Sequence, residues 1–579
     1  MGINHSRLLV NSMGLPSDVS QFDSKFWKGR LHELGYPLEV VELDLSALKE
    51  QKALPSDIDP RKISRLYFDD YVEVALVEFD SAKELRRSVC TRAARSWKAN
   101  RLIKPLLIFT NGIDSFAVIV PGKGIGGEVK VLRLSDRLYR TDFDVLESVR
   151  YPGDAEKLNK CYDVVFFPYQ KVRDEFFEGY RELYQRVEKA VEKYLKDEST
   201  SYAQRFLGRL MFLYFLQKKG WLKENKRFID TVKDYKELNR LFYESLNREG
   251  TPGIPFLNGS LFEKEEYMSA KMEDRLYPEL DKLFKDARRF FNEYNFTVDE
   301  TSPLEVEVSI DPALIGTVFE NMLPEYERGS KGTFYTPRVE TSFICRRALT
   351  NFLGLNDEVS PDGKTFHDGL SKCIEELKKA KSEKDVREFR KRLLSLRILD
   401  PAVGSGGFLL VMMQEIISLI QEAEATVGWK SDVQQYKKRV LPNLYGFDIE
   451  PEAIEIACLR LWLSLIIDQK EPEPLPNLDM NLIVINDSLH LPDFQRTLDV
   501  KVEELRERFF EVKAKYLGAY RAKNKKKLRG QLQEISEEIA RRTGVDPNVV
   551  EAYMPERADI VVMNPPYVRQ ESIPKEKKN

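Results

Sequence analysis

The tetrapeptide Asn564-Pro565-Pro566-Tyr567 combines residue types that could bind an exposed amino group. It follows the apolar run Ile560 to Met563, which predicts a strand, so the motif would stand at that strand's carboxyl end. Two consecutive prolines fix the backbone and supply no N–H donor, which leaves carbonyl oxygens pointing outward. The Asn564 side-chain oxygen and the Pro565 carbonyl could each accept a hydrogen bond from one –NH2 group, while the Tyr567 ring could stack on a flat base. A nucleobase amine fits this chemistry, and an ordinary turn with a core aromatic is the alternative.

A glycine-rich turn follows another predicted strand, which runs from Arg397 to Asp400. Gly404, Gly406 and Gly407 would let the backbone approach a ligand closely before a helix begins at Phe408. The turn therefore predicts a ligand site but does not identify the ligand.

The spacing between this turn and the next strand-terminal acid separates two classes of ligand. A nicotinamide dinucleotide site has an acid about 20 residues beyond its glycines, whereas Asp448 lies about 40 residues beyond them. The remaining candidate is a nucleoside whose ribose hydroxyls are bound by Asp448 or Glu450 and whose adenine amine is met by Asp487. For each acid by itself, a helix N-cap is the alternative. Their occurrence at successive strand ends favours the nucleoside.

These candidate residues lie in a segment where predicted strands alternate with predicted helices. The alternation is typical of a parallel sheet covered on both faces, and open sheets of this kind bind ligands at the carboxyl ends of their strands. Strands are predicted at 397–400, 443–448, 482–485 and 560–563, with helices from 408 and over 451–467.

A charged helical insert is predicted between the third and fourth of these strands, at about 500–555. It contains a basic cluster formed by Arg521, Lys523, Lys525, Lys526, Lys527 and Arg529. This basic cluster is either a solvated helix surface or a contact with DNA phosphates, and the second alternative predicts steeply salt-dependent binding.

Two other patterns precede the sheet. The first 155 residues mix strands, predicted at 71–79, 105–110, 115–120 and 129–134, with a basic amphipathic helix at 82–100 and a hairpin turn at Asn111-Gly112. Helical periodicity then dominates. We therefore expect an α/β protein with an N-terminal α/β domain (1–155), a helical connector domain (156–325) and a sheet domain (326–579).

Composition excludes some classes of site. The five cysteines and four histidines are scattered without metal-ligand spacing, which argues against a zinc site and a disulfide framework. The longest apolar stretch, Phe408 to Ile420, is interrupted by polar residues, and nothing resembles a signal peptide. We therefore predict a cytoplasmic protein without a membrane partner. A net charge of −3 gives no overall indication of nucleic-acid binding, although a local basic face is compatible with it.

Taken together, four segments resemble the motifs of S-adenosylmethionine-dependent DNA adenine-N6 methyltransferases. Motifs I, II, III and the catalytic motif IV are matched by Asp400–Phe408, Tyr445–Pro451, Asn486–Leu489 and Asn564–Tyr567. The segment Gly332–Pro337 is similar to motif X, and its place ahead of motif I corresponds to the γ class.

Two upstream segments extend the resemblance. Phe256–Phe262 and Ile310–Glu320 are similar to the helical region of large methylases in type IIG restriction-modification and in BREX- or DISARM-type phage defence. The resemblance implies an incomplete Rossmann-like, doubly wound methyltransferase domain that acts on double-stranded DNA.

The resemblance also implies roles for individual residues. Cofactor-binding residues would be Tyr335, Thr336, Asp400, Ala402, Gly404, Gly406, Phe408, Asp448, Ile449 and Asp487. Among them, Tyr335 and Thr336 would contact the methionine part of S-adenosylmethionine, Asp448 the ribose and Asp487 the adenine.

The catalytic residues implied by the resemblance are Asn564, Pro565, Pro566 and Tyr567. The target adenine would be flipped out of the duplex to dock against them, because its amine cannot be reached within the base stack. The two accepted hydrogen bonds would then aim the N6 lone pair at the methyl group, which is catalysis by position and electrostatics.

Only Val568 to Asn579 follow the catalytic motif, whereas the resemblance implies further strands, a second aromatic residue to clamp the base and a target-recognition domain. We therefore expect a C-terminal segment or a second subunit to complete the enzyme, in company with defence-system partner proteins. We also expect the 579 residues of this chain to be inactive by themselves.

A nuclease is an alternative function for the N-terminal domain, because type IIG enzymes join cleavage to methylation. A group of acids and one lysine surround a single predicted strand, as metal-dependent nucleases require, namely Asp69, Asp70, Glu73, Glu78, Asp80 and Lys83. No clean acid-spacer-acid-x-lysine pattern is present. A nuclease-like domain without activity, or a protein-docking domain, is the competing interpretation.

A third interpretation keeps the fold and changes the substrate. Motifs of the Asn-Pro-Pro-Tyr type also serve methylation of glutamine amides in proteins and of RNA bases. The residues themselves establish only an amine attached to an sp2 carbon.

Overall fold

A computed structural model describes most of the chain. The described residues are 21–81, 85–101, 103–121, 129–135, 137–247, 251–257, 262, 268–297, 305–307, 310, 336–359, 366–485, 500–519, 521–544, 547, 550 and 558–565. The chain divides into two compact units, one formed by Met1–Glu182 with Lys285–Asp311 and the other by Leu183–Phe284 with Pro312–Asn579. The division into three domains stays a prediction.

Strands and helices are numbered here in chain order. The strands are β1 Val41–Glu42, β2 Lys62–Phe68, β3 Val72–Glu78, β4 Lys104–Thr110, β5 Ser115–Ile119, β6 Val129–Leu134, β7 Glu305–Glu307, β8 Glu358–Val359, β9 Phe366–His367, β10 Ile398–Asp400, β11 Leu444–Asp448, β12 Leu482–Val484 and β13 Ile560–Val561. The helices are α1 Ser24–Glu33, α2 Leu45–Glu50, α3 Arg87–Arg101, α4 Arg140–Ser148, α5 Ala155–Val164, α6 Tyr169–Leu195, α7 Ser199–Lys218, α8 Phe228–Thr231, α9 Tyr235–Arg240, α10 Ala270–Phe291, α11 Arg338–Phe352, α12 Gly369–Ala380, α13 Glu383–Leu394, α14 Gly407–Thr426, α15 Val433–Val440, α16 Pro451–Asp468, α17 Val500–Leu517 and α18 Ala522–Thr543.

The first unit is built on a seven-stranded mixed sheet in the order β1-β2-β3-β4-β5-β6-β7. The pairs β3–β4 and β6–β7 are parallel and the other pairs are antiparallel. Helix α3 packs fully buried Cys90, Ala93, Ala94 and Trp97 against the sheet, and its small residues permit close approach. The four strands predicted here are confirmed, and the predicted basic helix is observed from Arg87.

The acids of the nuclease alternative do not converge. Glu73 is fully buried and accepts hydrogen bonds from the Trp97 indole (2.8 Å) and from Arg101 Nε and Nη2 (both 3.1 Å). Glu78 lies five positions along the same strand, so it is on the opposite face and about 16 Å away. Asp69 closes the turn before β3 by accepting the backbone N–H groups of Tyr71 and Val72 (both 2.7 Å). Glu73 and Asp69 therefore have structural roles, and Lys83 lies outside the described residues.

Helix α7 is buried along nearly its whole length, although the sequence predicted an apolar face over 203–221. It runs beside α16 in the same direction. Near the start of α16, Gln204 Nε2 donates to the Glu452 carbonyl (2.8 Å) and Arg205 pairs with Glu455. Near its end, Lys219 Nζ donates to the Ile467 carbonyl. Helix α7 thus covers α16, which itself packs on the sheet.

The second unit contains a four-stranded sheet in the order β12-β11-β10-β13, and all three pairings are parallel. From β10 the chain therefore adds β11 and then β12 on one side of the sheet, and β13 joins on the other side of β10. The strand direction thus gathers the carboxyl ends of β10, β11 and β13 at one edge. The α/β class and the four strands are confirmed, although β13 is shorter than predicted.

The helices α17 and α18 form a hairpin that packs against the residues just before β12. Asn477 Nδ2 donates to the carbonyls of Tyr516 (2.7 Å) and Ala519 (2.8 Å), and the Tyr516 hydroxyl donates to Asp479 (2.6 Å). Because Asn477 and Asp479 precede β12, the turn between the two helices lies at the amino end of that strand.

The basic cluster follows this turn and therefore lies away from the carboxyl edge of the sheet. Lys526 and Lys527 are exposed, whereas Lys525 is only 9% exposed and Arg529 contacts the Met480 sulfur. This position favours the solvated helix surface over contact with DNA bound at the carboxyl edge.

Candidate active site

The glycine-rich turn between β10 and α14 is held against the sheet by its own backbone. The Val403 N–H donates to the Phe447 carbonyl (2.8 Å), and the Gly406 N–H donates to the Val403 carbonyl (2.9 Å). Gly404 (φ +50°) and Gly406 (φ +80°) both adopt the left-handed conformation that favours glycine.

The two glycines differ in what surrounds them. A methyl group at Gly406 would meet Ala457 Cβ at 3.0 Å and Cα at 3.1 Å, whereas one at Gly404 would meet no heavy atom within 4 Å. Gly406 therefore lets the turn approach α16, while Gly404 faces open space that a ligand could occupy.

This difference makes Gly406→Ala and Gly404→Ala a matched pair. Both variants carry the strain of a left-handed alanine, but only Gly406→Ala also clashes with a helix backbone. We expect Gly406→Ala to lower the free energy of unfolding by about 2 kcal/mol more than Gly404→Ala does, as seen in denaturant titrations. Gly404→Ala should instead weaken ligand binding. Equal destabilisation by the two variants would contradict this assignment.

Asp448 joins the end of β11 to the glycine-rich turn. Its Oδ2 accepts the Gly404 N–H (2.8 Å) and its Oδ1 accepts the Glu450 N–H (3.0 Å). Glu450 is the N-cap residue of α16 but makes no side-chain cap, so neither acid is a conventional helix cap. Burial, partly offset by these hydrogen bonds, raises the pKa of Asp448. Next to it, Ile449 is 58% exposed and offers an apolar surface for a flat ring.

Asp400 is buried at the end of β10, with only 1% of its surface exposed. Its Oδ1 accepts the Ala402 N–H (3.1 Å), while its Oδ2 has no hydrogen-bond partner in the described part of the chain. Burial, and then repulsion by Asp448, raises the pKa of Asp400 to about 7. The carboxyl edge thus holds two neighbouring acids, the buried Asp400 and the half-buried Asp448. Among the described residues, no cation is a main cause of the pKa shift of either acid.

Arg460 on α16 supports the turn from the side facing the helix. Its Nη1 donates to the Ser405 carbonyl (2.7 Å) and hydroxyl (2.6 Å). Arg460 is not among the site residues predicted from the sequence. The signal that could have found it is an arginine within the otherwise apolar helix predicted over 451–467, and in the structure it is 5% exposed.

Asn564 follows β13, two residues beyond the hydrogen bond from the Val562 N–H to the Leu399 carbonyl (3.0 Å). Its Nδ2 donates to Thr336 Oγ1 (2.9 Å), which joins the segment before α11 to the segment after β13. Pro565 is described and exposed.

Helix α11, which begins after Thr336, is bound to α14. Arg346 pairs with Glu415 (3.0 Å) and with Asp368 (2.7 Å), and Ser342 donates to Glu415. Cys345 lies against the Phe408 carbonyl (3.8 Å), and the Phe408 side chain is buried. Phe408 therefore packs in the core beneath the turn.

The predicted site residues, with Pro565 next to Asn564, thus fall into four groups. Asp400, Ala402, Gly404 and Asp448 are joined around the turn, and Thr336 is joined to Asn564. Gly406, Phe408 and Ile449 lie on the same turn or strand end. Tyr335, Asp487, Pro566 and Tyr567 lie outside the described residues.

The described residues contain no group of three or more histidine, cysteine, aspartate or glutamate side chains arranged to hold a metal ion. Their helices include none that is long and apolar enough to cross a membrane.

Comparison with known proteins indicates a class. Residues 442–579 match the model of the Eco57I restriction-modification methylase family. The predicted resemblance to restriction-modification methyltransferases is confirmed at this level.

Individual relatives agree with this class. RM.MjaORFECS2P from Methanocaldococcus jannaschii, whose name refers to a type II restriction enzyme and methyltransferase, is 30% identical over an alignment of 331 residues, and the match covers 49% of this chain and 27% of the relative. DNA methyltransferase A from Bacillus subtilis is 24% identical over an alignment of 281 residues, and the match covers 45% of this chain and 27% of the relative. The matched regions thus span about a quarter of each relative's length. A solved structure of the type IIL restriction-modification enzyme MmeI in complex with DNA is 16% identical, at a TM-score of 0.35, over 63% of this chain and 49% of that chain.

Proposed function

We propose that this chain carries the cofactor-binding and amine-binding parts of a γ-class, S-adenosylmethionine-dependent DNA adenine-N6 methyltransferase of a restriction-modification or phage-defence system. The four-stranded sheet would be the centre of an incomplete Rossmann-like, doubly wound domain. The strand order β12-β11-β10-β13 supports this proposal. The observation that carries the proposal is the pair of acids, buried Asp400 and half-buried Asp448, around a glycine-rich turn one strand away from Asn564.

The charge of this pair restricts the cofactor. Asp400 and Asp448, with no cation of the described residues as a main cause of their pKa shifts, would repel the phosphates of a dinucleotide or nucleotide. A nucleoside ligand that brings positive charge would instead relieve their repulsion and supply a partner for Asp400 Oδ2. S-adenosylmethionine has these properties, since it carries a sulfonium and an ammonium group and no phosphate.

The remaining residues suit the parts of this cofactor. Asp448 stands where a ribose would be bound, Ile449 offers a face for adenine, and the space beside Gly404 leaves room for the ligand. Tyr335 and Asp487 keep their proposed contacts with the methionine part and the adenine. When bound, S-adenosylmethionine supplies an electrophilic methyl group.

The amine would be bound by acceptors at the end of β13. Asn564 donates through Nδ2 to Thr336, so its Oδ1 is the end of the amide that would accept a hydrogen from the amine. The Pro565 carbonyl would accept the other hydrogen, and Pro566 would hold that carbonyl in place. Both hydrogen bonds would direct the nitrogen lone pair at the methyl group, while Tyr567 would stack on the base.

DNA is the proposed substrate, in which the target adenine would be flipped from the duplex. The Eco57I restriction-modification methylase match and the name of the B. subtilis relative, DNA methyltransferase A, support DNA over protein or RNA. We also propose that a further segment or a second subunit completes the base pocket and reads the recognition sequence.

The test is to identify the methylated product. The full-length protein would be incubated with tritium-labelled S-adenosylmethionine and, separately, with double-stranded DNA, RNA and a mixture of proteins. We expect label in DNA, released after nucleoside digestion as N6-methyldeoxyadenosine. Label in RNA, in protein glutamine or in cytosine would overturn the proposed substrate.

A further inference from the structure

We propose that Thr336 is a positioning residue that sets the orientation of the Asn564 amide for methyl transfer, and that this is its role in place of cofactor binding. The inference rests on the proposed function. It comes from one contact, the hydrogen bond from Asn564 Nδ2 to Thr336 Oγ1 (2.9 Å), between residues 228 positions apart in the chain.

Thr336 is itself well anchored. Its carbonyl accepts a hydrogen bond from the Thr341 hydroxyl (3.2 Å), within the first turn of α11. Helix α11 is bound to α14 through the ion pair between Arg346 and Glu415 (3.0 Å). Because α14 begins at the glycine-rich turn, the Thr336 hydroxyl is fixed relative to the proposed cofactor pocket.

Asn564 needs such an anchor because it lies beyond the end of its strand. Strand β13 contains only Ile560 and Val561, and Val562 adds one hydrogen bond to β10. Past that point, the side-chain contact with Thr336 ties the asparagine to a second element of the fold.

The direction of this hydrogen bond has a chemical consequence. An asparagine amide is a donor at its nitrogen and an acceptor at its oxygen. With the nitrogen directed at Thr336, the oxygen is directed away from it, as acceptance of a hydrogen from a substrate amine requires. A rotated amide would present its –NH2 group to the substrate –NH2 group, and two donors repel.

Two variants of Thr336 separate positioning from cofactor contact. Thr336→Val keeps the shape and removes the hydroxyl, whereas Thr336→Ser keeps the hydroxyl. We expect Thr336→Val to lower kcat about 10- to 100-fold while the Kd for S-adenosylmethionine stays within about twofold, because the loss is one of geometry. Thr336→Ser should restore most of kcat.

The opposite result would identify a cofactor contact. If Thr336→Val raises the Kd for S-adenosylmethionine while kcat is kept, the hydroxyl binds the methionine part and the inference is wrong. It is equally wrong if Thr336→Val leaves both kcat and Kd unchanged.

A third measurement distinguishes failure of this inference from failure of the proposed function. Absence of methyl transfer to adenine by the unmodified full-length protein would refute the function. The contact can still be tested by thermal unfolding of Thr336→Val, Asn564→Ala and the double variant. We expect the double variant to lower Tm by less than the sum of the single shifts, because the bond can be lost only once. Additive shifts would refute the positioning contact whatever the activity.

Discussion

Asn564→Ala is expected to lower the rate of methyl transfer by about 100- to 1000-fold, which is the range found when one preorganised hydrogen-bond partner of a reacting group is removed. The variant loses one of two acceptors for the substrate amine, so the nitrogen lone pair is no longer directed at the methyl group. The proposed cofactor pocket lies around the neighbouring strand ends, at Asp400 and Asp448. Affinity for S-adenosylmethionine should therefore stay within about threefold.

Single-turnover assays with saturating cofactor and DNA would measure this rate, and isothermal titration would measure cofactor affinity. Asn351→Ala is a matched control, because Asn351 is an exposed asparagine in the last turn of α11. A variant Asn564→Ala that transfers methyl groups as fast as Asn351→Ala would rule out Asn564 as the amine acceptor.

Asp400→Asn is expected to weaken binding of S-adenosylmethionine by about 100-fold, because it removes a buried charge that the cationic cofactor would neutralise. In the unmodified protein, burial raises the pKa of Asp400 from 3.8 to about 7. Cofactor affinity should therefore increase between pH 6 and pH 8 as this carboxyl group loses its proton. In Asp400→Asn the same increase should be much smaller.

The same substitution should stabilise the protein without cofactor. An acid whose pKa is higher in the folded state contributes stability below its unfolded pKa of 3.8, and this contribution is lost as the pH rises to about 7. A shift of this size corresponds to a penalty on the order of 4 kcal/mol above pH 7. Asparagine cannot ionise, so it does not carry this penalty.

Thermal unfolding at pH 5.5 and pH 8.5 would measure this effect. The Tm of Asp400→Asn should exceed that of the unmodified protein by more at pH 8.5 than at pH 5.5. Glu471→Gln serves as the control, since it removes one carboxylate from an exposed position. A lower Tm for Asp400→Asn at pH 8.5 would mean that the carboxylate is stabilised by a partner in the folded protein.

Local features of the fold could be predicted from the sequence. The four strands of the parallel sheet were recognisable because each is a short apolar run beside a turn or a helix. The turn between β10 and α14 was recognisable because several glycines follow a predicted strand. Glycine is favoured there because two of these residues adopt a left-handed conformation that other residues avoid. The place of Asp448 at a strand end was also predictable, although its hydrogen bond to the Gly404 N–H was not.

Features that depend on long-range packing could not be predicted. The contact between Thr336 and Asn564 requires β13 to pair with β10 and not with β12, and no local pattern indicates the neighbour of a strand. The support from Arg460 depends on how closely α16 approaches the turn. The burial of α7 on nearly all sides could not be predicted because it depends on packing against α16, which lies far along the chain.

The pairing of α7 with α16 limits how this protein could be recombined with a relative. Arg205 contacts Glu455, whose pKa is raised by burial, so a sheet transplanted without α7 would expose an apolar helix and remove the cation beside that acid. A functional chimera must therefore exchange 199–218 and 451–468 together, even though more than 200 residues separate them. A substitution on one of these two helices should accordingly be accompanied by a compensating substitution on the other.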